Sequence, residues 1–215
     1  MRSCAESRHE IEIFCEPLRS LRLCGGESGH PLTPIDRESE PRMPTDPLLV
    51  TGDLCDAHKA GADTRFRVLP PVFRDYGRRV RFAGVISTVK CFEDNSFVKA
   101  ALEEPGAGRV LVVDGGGSLR RALVGGNIAA AAAKNGWAGV VIDGCVRDSA
   151  ELAQCDLGIR ALALIPLPTE RRNVGQRDVA VHIHGVWLLP GEWLVADEDG
   201  IVVSSTMSLA SVTKG

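Results

Sequence analysis

Segments with a strand-like hydrophobic pattern alternate with helix-like segments from Thr51 onward. Residues 80–90 alternate apolar and polar positions and are rich in β-branched side chains, which predicts a strand. Short apolar runs at residues 110–113, 140–142 and 159–164 predict further strands, buried in a core. Because helix-favouring segments separate these strands, the pattern is typical of an α/β domain.

The clearest helical segment contains five consecutive alanines, and alanine has the highest intrinsic helix propensity. Asn127 precedes this segment as a candidate N-cap, and Gly136 follows it where a left-handed C-cap belongs. The predicted helices cover residues 51–60, 96–104 and 128–135, and residues 118–124 are predicted to form a short helical turn.

The two ends of the chain differ in pattern. Residues 179–204 alternate and contain turn signals at residues 189–191 and 197–200, which predicts a β meander. Residues 1–45 mix charges of both signs with several prolines and show no sustained period. We therefore predict an N-terminal extension, disordered or partly ordered, ahead of one domain over residues 46–215.

Composition and charge exclude several classes of protein. The chain has 215 residues, of which 44% are hydrophobic, enough for one substantial core. A net charge of -3 without a basic stripe argues against direct nucleic-acid binding. Apolar runs stay well short of the roughly 20 residues of a membrane span, and no secretion signal is evident, so we expect a cytoplasmic protein without membrane contact. Seven cysteines without a CxxC pair indicate neither a disulfide framework nor a zinc site.

Two glycine clusters are candidates for ligand binding. Residues 115–117 lack the third glycine of a dinucleotide fingerprint at the required spacing, which favours a structural role. Gly125, Gly126, Asn127 and Ile128 open a predicted helix, where free backbone N–H groups form an anion site suited to a carboxylate. An ordinary glycine loop is the alternative interpretation of the second cluster.

Arg147 and Asp148 follow an apolar strand and a predicted glycine turn. They should emerge at the carboxyl end of a strand, where α/β proteins bind ligands. Arg147 can bind a carboxylate through two hydrogen bonds, and Asp148 offers the oxygen ligand that Mg²⁺ or Mn²⁺ prefers. A surface salt bridge is the alternative. Residues 93–95 lie between a strand and a helix, and they either cap that helix or line a site wall.

Five segments occur in a characteristic order, namely residues 90–95, 109–120, 125–127, 136–139 and 144–148. Together they resemble the RraA-like family, which includes regulators of ribonuclease E activity and class II 4-hydroxy-4-methyl-2-oxoglutarate aldolases. The resemblance covers about residues 51–205. It implies an α/β/β/α sandwich of the swivelling-domain type, assembled as a ring-like homotrimer, with hexamers in some members.

The resemblance also implies a function. Aldolase-like members carry Asp after Arg in the last segment, whereas the ribonuclease regulators typically lack this carboxylate. Asp148 therefore favours a metal-dependent lyase that cleaves 4-hydroxy-2-oxo acids, or decarboxylates oxaloacetate, through a metal-stabilised pyruvate enolate. By resemblance, Asp148 would hold Mg²⁺ or Mn²⁺, and Arg147 would bind the oxygens of the 2-oxo acid substrate. Backbone N–H groups near Asn127 and Ile128 would bind the pyruvyl carboxylate.

One departure from the family concerns the catalytic base. Many aldolase members carry an acidic residue near Asn127, and an amide cannot accept a proton in its place. Either Asp94 or Glu93 lines the cleft and assists a metal-activated water, or aldolase turnover on the usual substrates is weak. Two alternatives stay open: a non-catalytic regulator that inhibits a ribonuclease partner by protein contact, and a methyltransferase, for which the failed nucleotide fingerprint gives no support.

Overall fold

Helices and strands alternate through the residues that the computed structural model describes, 50–58 and 65–205. The predicted N-terminal extension, residues 1–45, lies outside them, as do the last two residues of the first predicted helix. The helices are α1 (Thr51–Ala57), α2 (Ser96–Glu103), α3 (Gly126–Lys134) and α4 (Ser149–Leu152). The strands are β1 (Phe66–Val68), β2 (Arg74–Asp75), β3 (Phe82–Lys90), β4 (Val110–Val124), β5 (Gly139–Val146), β6 (Gly158–Leu164), β7 (Gln176–Arg177), β8 (Val181–Ile183), β9 (Val186–Leu188), β10 (Trp193–Ala196) and β11 (Ile201–Ser204).

Four parallel strands, β3 to β6, form neighbouring pairs in chain order. Their apolar runs are buried by layers on both faces, and every residue of β5 is buried. Helices α2 and α3 connect consecutive strands of this set, as parallel pairing requires. The carboxyl ends of β4 and β5 consequently lie side by side.

Strand β3 belongs to two sheets and thereby creates a second β layer. Its residues 86–90 pair with β4, whereas residues 82–85 pair antiparallel with β10. Strands β11 and β1 extend the antiparallel part. The strands predicted in residues 179–204 are confirmed as β8 to β11, but they do not form one meander, because β8 and β9 pair only with each other and β10 pairs with β3 and β11.

Successive residues of a strand point to opposite faces of the sheet and therefore pack in different cores. On one face of the parallel strands, Ile142 packs with apolar residues of α2, α3 and α4. On the other face, Val141 packs in a core with Leu194 of β10, while the next residue, Val195, packs with Leu54 of α1. This order of layers is the predicted α/β/β/α sandwich. None of the helices within residues 50–58 and 65–205 has the length and apolar character that a membrane crossing requires.

The helical turn predicted for residues 118–124 is wrong, because these residues continue β4. Gly116 and Gly117 adopt left-handed φ values of 66° and 65°, and the register between β4 and β5 shifts after Asp114. Pairing then resumes, with Ala122 opposite Cys145. Pairing with the neighbouring strand β5 therefore overrides the local helical preference of this short segment.

Two boundaries near the predicted site also differ from expectation. Gly144 forms no turn, since β5 runs on to Val146 and Arg147 is the first residue after the strand. Helix α3 begins at Gly126, so its N-cap is Gly125, and Asn127 lies inside the first turn. Glycine is acceptable at an N-cap, where a side chain would face the strand ends described below. The predicted left-handed Gly136, with a φ of 76°, is confirmed after the end of α3.

Candidate active site

A pocket of about 270 Å³ opens where β4 and β5 end. Its lining includes five predicted site residues, namely Gly125, Asn127, Ile128, Arg147 and Asp148. A hydrogen bond from the Arg147 N–H to the carbonyl oxygen of Val124, 3.0 Å long, ties the two strand ends together. The structure therefore brings both predicted loops to one place, as neighbouring parallel strands require.

Asp148 adopts a left-handed conformation, with φ 61° and ψ 46°, immediately before α4. Asp is among the few residue types that tolerate this region. Its Oδ2 accepts a hydrogen bond of 3.1 Å from the Gly126 N–H and lies 3.4 Å from Nε of Arg147. The predicted salt bridge is thus present inside the pocket, and Oδ1 makes no hydrogen bond within the described part of the chain.

The two glycines at the start of α3 are needed because side chains from the loop after β5 and from α4 approach their Cα atoms. A Cβ on Gly125 would lie 2.6 Å from Asp148 Oδ2 and 3.1 Å from Arg147 Nε. A Cβ on Gly126 would overlap the carboxylate of Glu151. The Gly-Gly pair therefore lets the start of α3 reach the Arg147–Asp148 pair.

The anion site predicted at the start of α3 has fewer free backbone N–H groups than expected. The Gly126 N–H donates to Asp148, and the Ile128 N–H donates to the carbonyl oxygen of Gly125 at 3.1 Å. The Asn127 N–H has no acceptor among the described residues. At the start of α3, one backbone donor and the positive end of the helix dipole, together with Arg147, are therefore available to a carboxylate.

Asp94 is fully buried and does not line the pocket. Its Oδ1 accepts a hydrogen bond from the Ser96 N–H at 2.8 Å, and its Oδ2 accepts from the N–H groups of Arg172 and Val174 at 2.7 and 3.2 Å. Burial alone would raise the pKa of Asp94, but these hydrogen bonds together hold the pKa below its ordinary value. The predicted catalytic role for Asp94 has no support from this placement.

Glu93, the other acidic candidate, accepts hydrogen bonds from two side chains within β4. Its Oε1 accepts hydrogen bonds of 2.6 Å from the Ser118 hydroxyl and from Nε of Arg120. These two hydrogen bonds lower the pKa of Glu93, which therefore is ionised at neutral pH. Like Asp94, Glu93 does not line the pocket.

Residues 166–174 form one wall of the pocket, and the sequence pattern did not predict them as part of the site. Thr169 and Arg171 line the pocket from this segment, and Asn95 lines it from the loop before α2. The segment has no helical or strand period, so hydrophobic patterning could not identify it. The only signal in the sequence is an adjacent pair of arginines in a polar connection between two strands.

The charges of the pocket suit an anionic ligand. Its ionisable lining residues are two arginines, Arg147 and Arg171, and one carboxylate, Asp148. No group of three or more His, Cys, Asp or Glu side chains that could hold a metal occurs among the described residues. Mg²⁺ usually retains several waters and needs only one or two protein carboxylates. Asp148, with its unengaged Oδ1, fits a hydrated divalent ion shared with a substrate rather than an ion enclosed by protein ligands.

Comparison with known proteins identifies close relatives. The model of the RraA-like family, described as Aldolase/RraA, matches residues 51–203. A protein of Albidiferax ferrireducens, provisionally named 4-hydroxy-4-methyl-2-oxoglutarate aldolase, is 64% identical over 74% of this chain and 96% of its own. A Cupriavidus necator protein of the same provisional name is 58% identical over 72% of this chain and 94% of its own.

Two solved structures share the fold. The RNA-processing inhibitor RraA from Thermus thermophilis is 46% identical, with a TM-score of 0.70 over 74% of this chain and 96% of its own. A Geobacillus kaustophilus structure described as an S-adenosylmethionine: 2-dimethylmenaquinone methyltransferase is 43% identical, with a TM-score of 0.69 over 75% of this chain and 98% of its own. Relatives with different functional names therefore share one fold.

Proposed function

The chain belongs to the RraA-like family, and on that premise we propose that it is a divalent-metal-dependent lyase acting on small 2-oxo acids. Its substrates would be 4-hydroxy-2-oxo acids of the 4-hydroxy-4-methyl-2-oxoglutarate type, with oxaloacetate as a decarboxylation substrate. The observation that carries the proposal is the placement of Arg147 and Asp148 in one pocket with the Asn127 N–H. The provisional aldolase names of the relatives support the same reaction class.

Each side chain has a distinct task in the proposed reaction. Asp148 would hold Mg²⁺ or Mn²⁺ through its unengaged oxygen, while the Gly126 N–H keeps the carboxylate oriented. Arg147 and the Asn127 N–H would bind the carboxylate next to the 2-oxo group. When bound, the ion would supply Lewis-acid stabilisation of the negative charge that develops as the C3–C4 bond breaks.

The proton of the 4-hydroxyl group must leave during aldol cleavage. Asn127 is an amide and cannot accept it, and Asp148 is the only carboxylate among the described pocket residues. Glu93 and Asp94 are held in hydrogen bonds elsewhere. We therefore propose water as the immediate proton acceptor.

We also propose that the working form is a homotrimer with the pocket near a cleft between subunits. Large apolar side chains are exposed close to the pocket in sequence, namely Leu119, Leu164 and Leu167, with relative exposures of 54%, 48% and 50%. In the proposed trimer, a neighbouring subunit would cover such side chains. Light scattering should give three times the chain mass, and a monomer at micromolar concentration would refute this assembly.

The activity is tested by pyruvate release from 4-hydroxy-4-methyl-2-oxoglutarate and from oxaloacetate, with Mg²⁺ or Mn²⁺ and after chelation. We expect Asp148→Ala and Arg147→Ala to lower kcat/KM by about 100-fold or more, since each removes a charged contact to the reacting groups. The matched control replaces Arg79 and Asp156, an exposed ion pair of 2.7 Å that lies outside the pocket. Equal rates in the wild type, both pocket variants and the control would overturn the proposal.

The alternative function is inhibition of a ribonuclease by protein contact. It is favoured by one observation, the 46% identity to a structure described as an RNA-processing inhibitor. Asp148 argues against it. Inhibition of a ribonuclease by the purified protein, combined with no metal-dependent pyruvate release, would reverse the order of the two proposals.

A further inference from the structure

We propose that Arg171 binds a second carboxylate on the substrate, so that the pocket selects 2-oxo dicarboxylic acids over 2-oxo monocarboxylic acids of equal length. The inference deepens the proposed function, on which it rests for the position of the first carboxylate. It assigns specificity to segment 166–174 rather than to the loops after β4 and β5.

The neighbouring residues Arg171 and Arg172 differ in their hydrogen-bond partners. Arg171 is exposed and lines the pocket, and its guanidinium has no hydrogen bond or ion pair with any residue in the described ranges. The guanidinium of Arg172 lies 3.5 Å from the carbonyl oxygen of Phe92 and does not line the pocket. Arg171 is therefore the member of the pair available to a ligand.

The charged side chains that line the pocket do not balance one another. Arg147 lies 3.4 Å from Asp148, so these two side chains largely neutralise each other. A first substrate carboxylate would be bound by Arg147 and the helix N-terminus. The positive charge of Arg171 then has no negative partner in the pocket, and a guanidinium binds carboxylates well because it can form two parallel hydrogen bonds.

The backbone on both sides of Arg171 is held in place by hydrogen bonds. Before it, the Leu167 carbonyl oxygen accepts a hydrogen bond of 2.8 Å from the Ala122 N–H of β4. After it, Asp94 binds the N–H groups of Arg172 and Val174. A wall fixed at both ends can present a side chain without a large loss of backbone entropy on binding. Asp94 is accordingly a positioning residue in this scheme.

The same pocket contains two buried polar atoms that have no hydrogen-bond partner among the described residues. Asn95 is about nine-tenths buried, and its Nδ2 donates to the carbonyl oxygen of Leu123 at 3.0 Å, which leaves Oδ1 as the unengaged atom. The hydroxyl of Thr169 is also buried without a partner among the described residues. Buried polar atoms are usually hydrogen-bonded, so two exceptions in the lining of one pocket indicate a polar ligand there.

The test compares binding of 2-oxoglutarate and 2-oxopentanoate, which have the same chain length and differ by the second carboxylate. Calorimetry with Mg²⁺ present should show tighter binding of 2-oxoglutarate by the wild type, by about tenfold or more. Arg171→Gln should abolish most of that preference, and Arg171→Lys should retain part of it. Arg172→Gln is the matched control, and its preference should equal that of the wild type.

Turnover gives a second readout. Arg171→Gln should raise KM for 4-hydroxy-4-methyl-2-oxoglutarate by about tenfold or more and leave KM for 4-hydroxy-2-oxopentanoate nearly unchanged. Because the binding experiment does not need catalysis, absence of turnover would refute the proposed lyase without deciding the role of Arg171. A wild type without preference in binding, or an Arg171→Gln variant that keeps it, would overturn the inference.

Discussion

Replacement of Asp94 should destabilise the protein strongly, although Asp94 lies outside the pocket. The fully buried carboxylate accepts three backbone N–H bonds, from Ser96, Arg172 and Val174. In Asp94→Ala all three donors lose their acceptor, and each buried unsatisfied donor costs about 1–3 kcal/mol. Water can reach part of a loosened segment, so we expect a total loss of about 3 kcal/mol in the free energy of unfolding, at the low end of the sum of three separate penalties.

Asp94→Asn removes the negative charge of this side chain and keeps its shape. Because hydrogen bonding holds the pKa of Asp94 below its ordinary value of 3.8, the ionised group stabilises the folded state at every pH above 3.8. That contribution is lost as the pH falls through the lower pKa of the folded state. The stability difference between wild type and Asp94→Asn should therefore be largest near neutral pH and shrink below pH 3.8.

The assay is urea unfolding of wild type, Asp94→Ala and Asp94→Asn at neutral pH and at several acidic pH values. A loss of 3 kcal/mol corresponds to a decrease in Tm of roughly 6–12 °C for a domain of this size. Asp199→Asn, an exposed carboxylate, is the control and should change stability by less than about 0.5 kcal/mol. Unchanged stability in both Asp94 variants, or a difference that persists undiminished at acidic pH, would refute the role of this carboxylate.

Two further predictions concern a glycine and a cysteine. Gly125→Ala should lower pyruvate release by about tenfold or more with a Tm close to that of the wild type, because the three atoms nearest to its Cβ would belong to the side chains of Arg147 and Asp148. Gly52→Ala, whose Cβ meets nothing within 4 Å, is its control, and equal activity in both variants would contradict the prediction. Burial, with nearby negative charge, raises the pKa of Cys91 to about 12, so this thiol should resist iodoacetamide at pH 8 until the protein unfolds. Rapid alkylation of Cys91 in the folded protein, measured by mass spectrometry, would show that the prediction is wrong.

The sequence by itself determined much of the fold and the centre of the candidate site. Apolar runs identified the parallel strands because both of their faces are buried, and five consecutive alanines identified α3. The position of Arg147 and Asp148 after β5 followed from the same pattern, since ligand sites lie at the carboxyl ends of parallel strands. These features depend on residues close together in the chain, which hydrophobic period and local propensity describe well.

Only the tertiary structure decided which residues complete the pocket. Segment 118–124 became part of β4 through pairing with β5, against its local helical preference. Asp94 binds the N–H of Arg172, 78 residues away, and so fixes the wall that presents Arg171. No local pattern encodes such a contact, because a buried carboxylate has the same identity in the sequence whether it binds a backbone, a metal or a substrate. Its role follows from the donors that the folded chain brings to it.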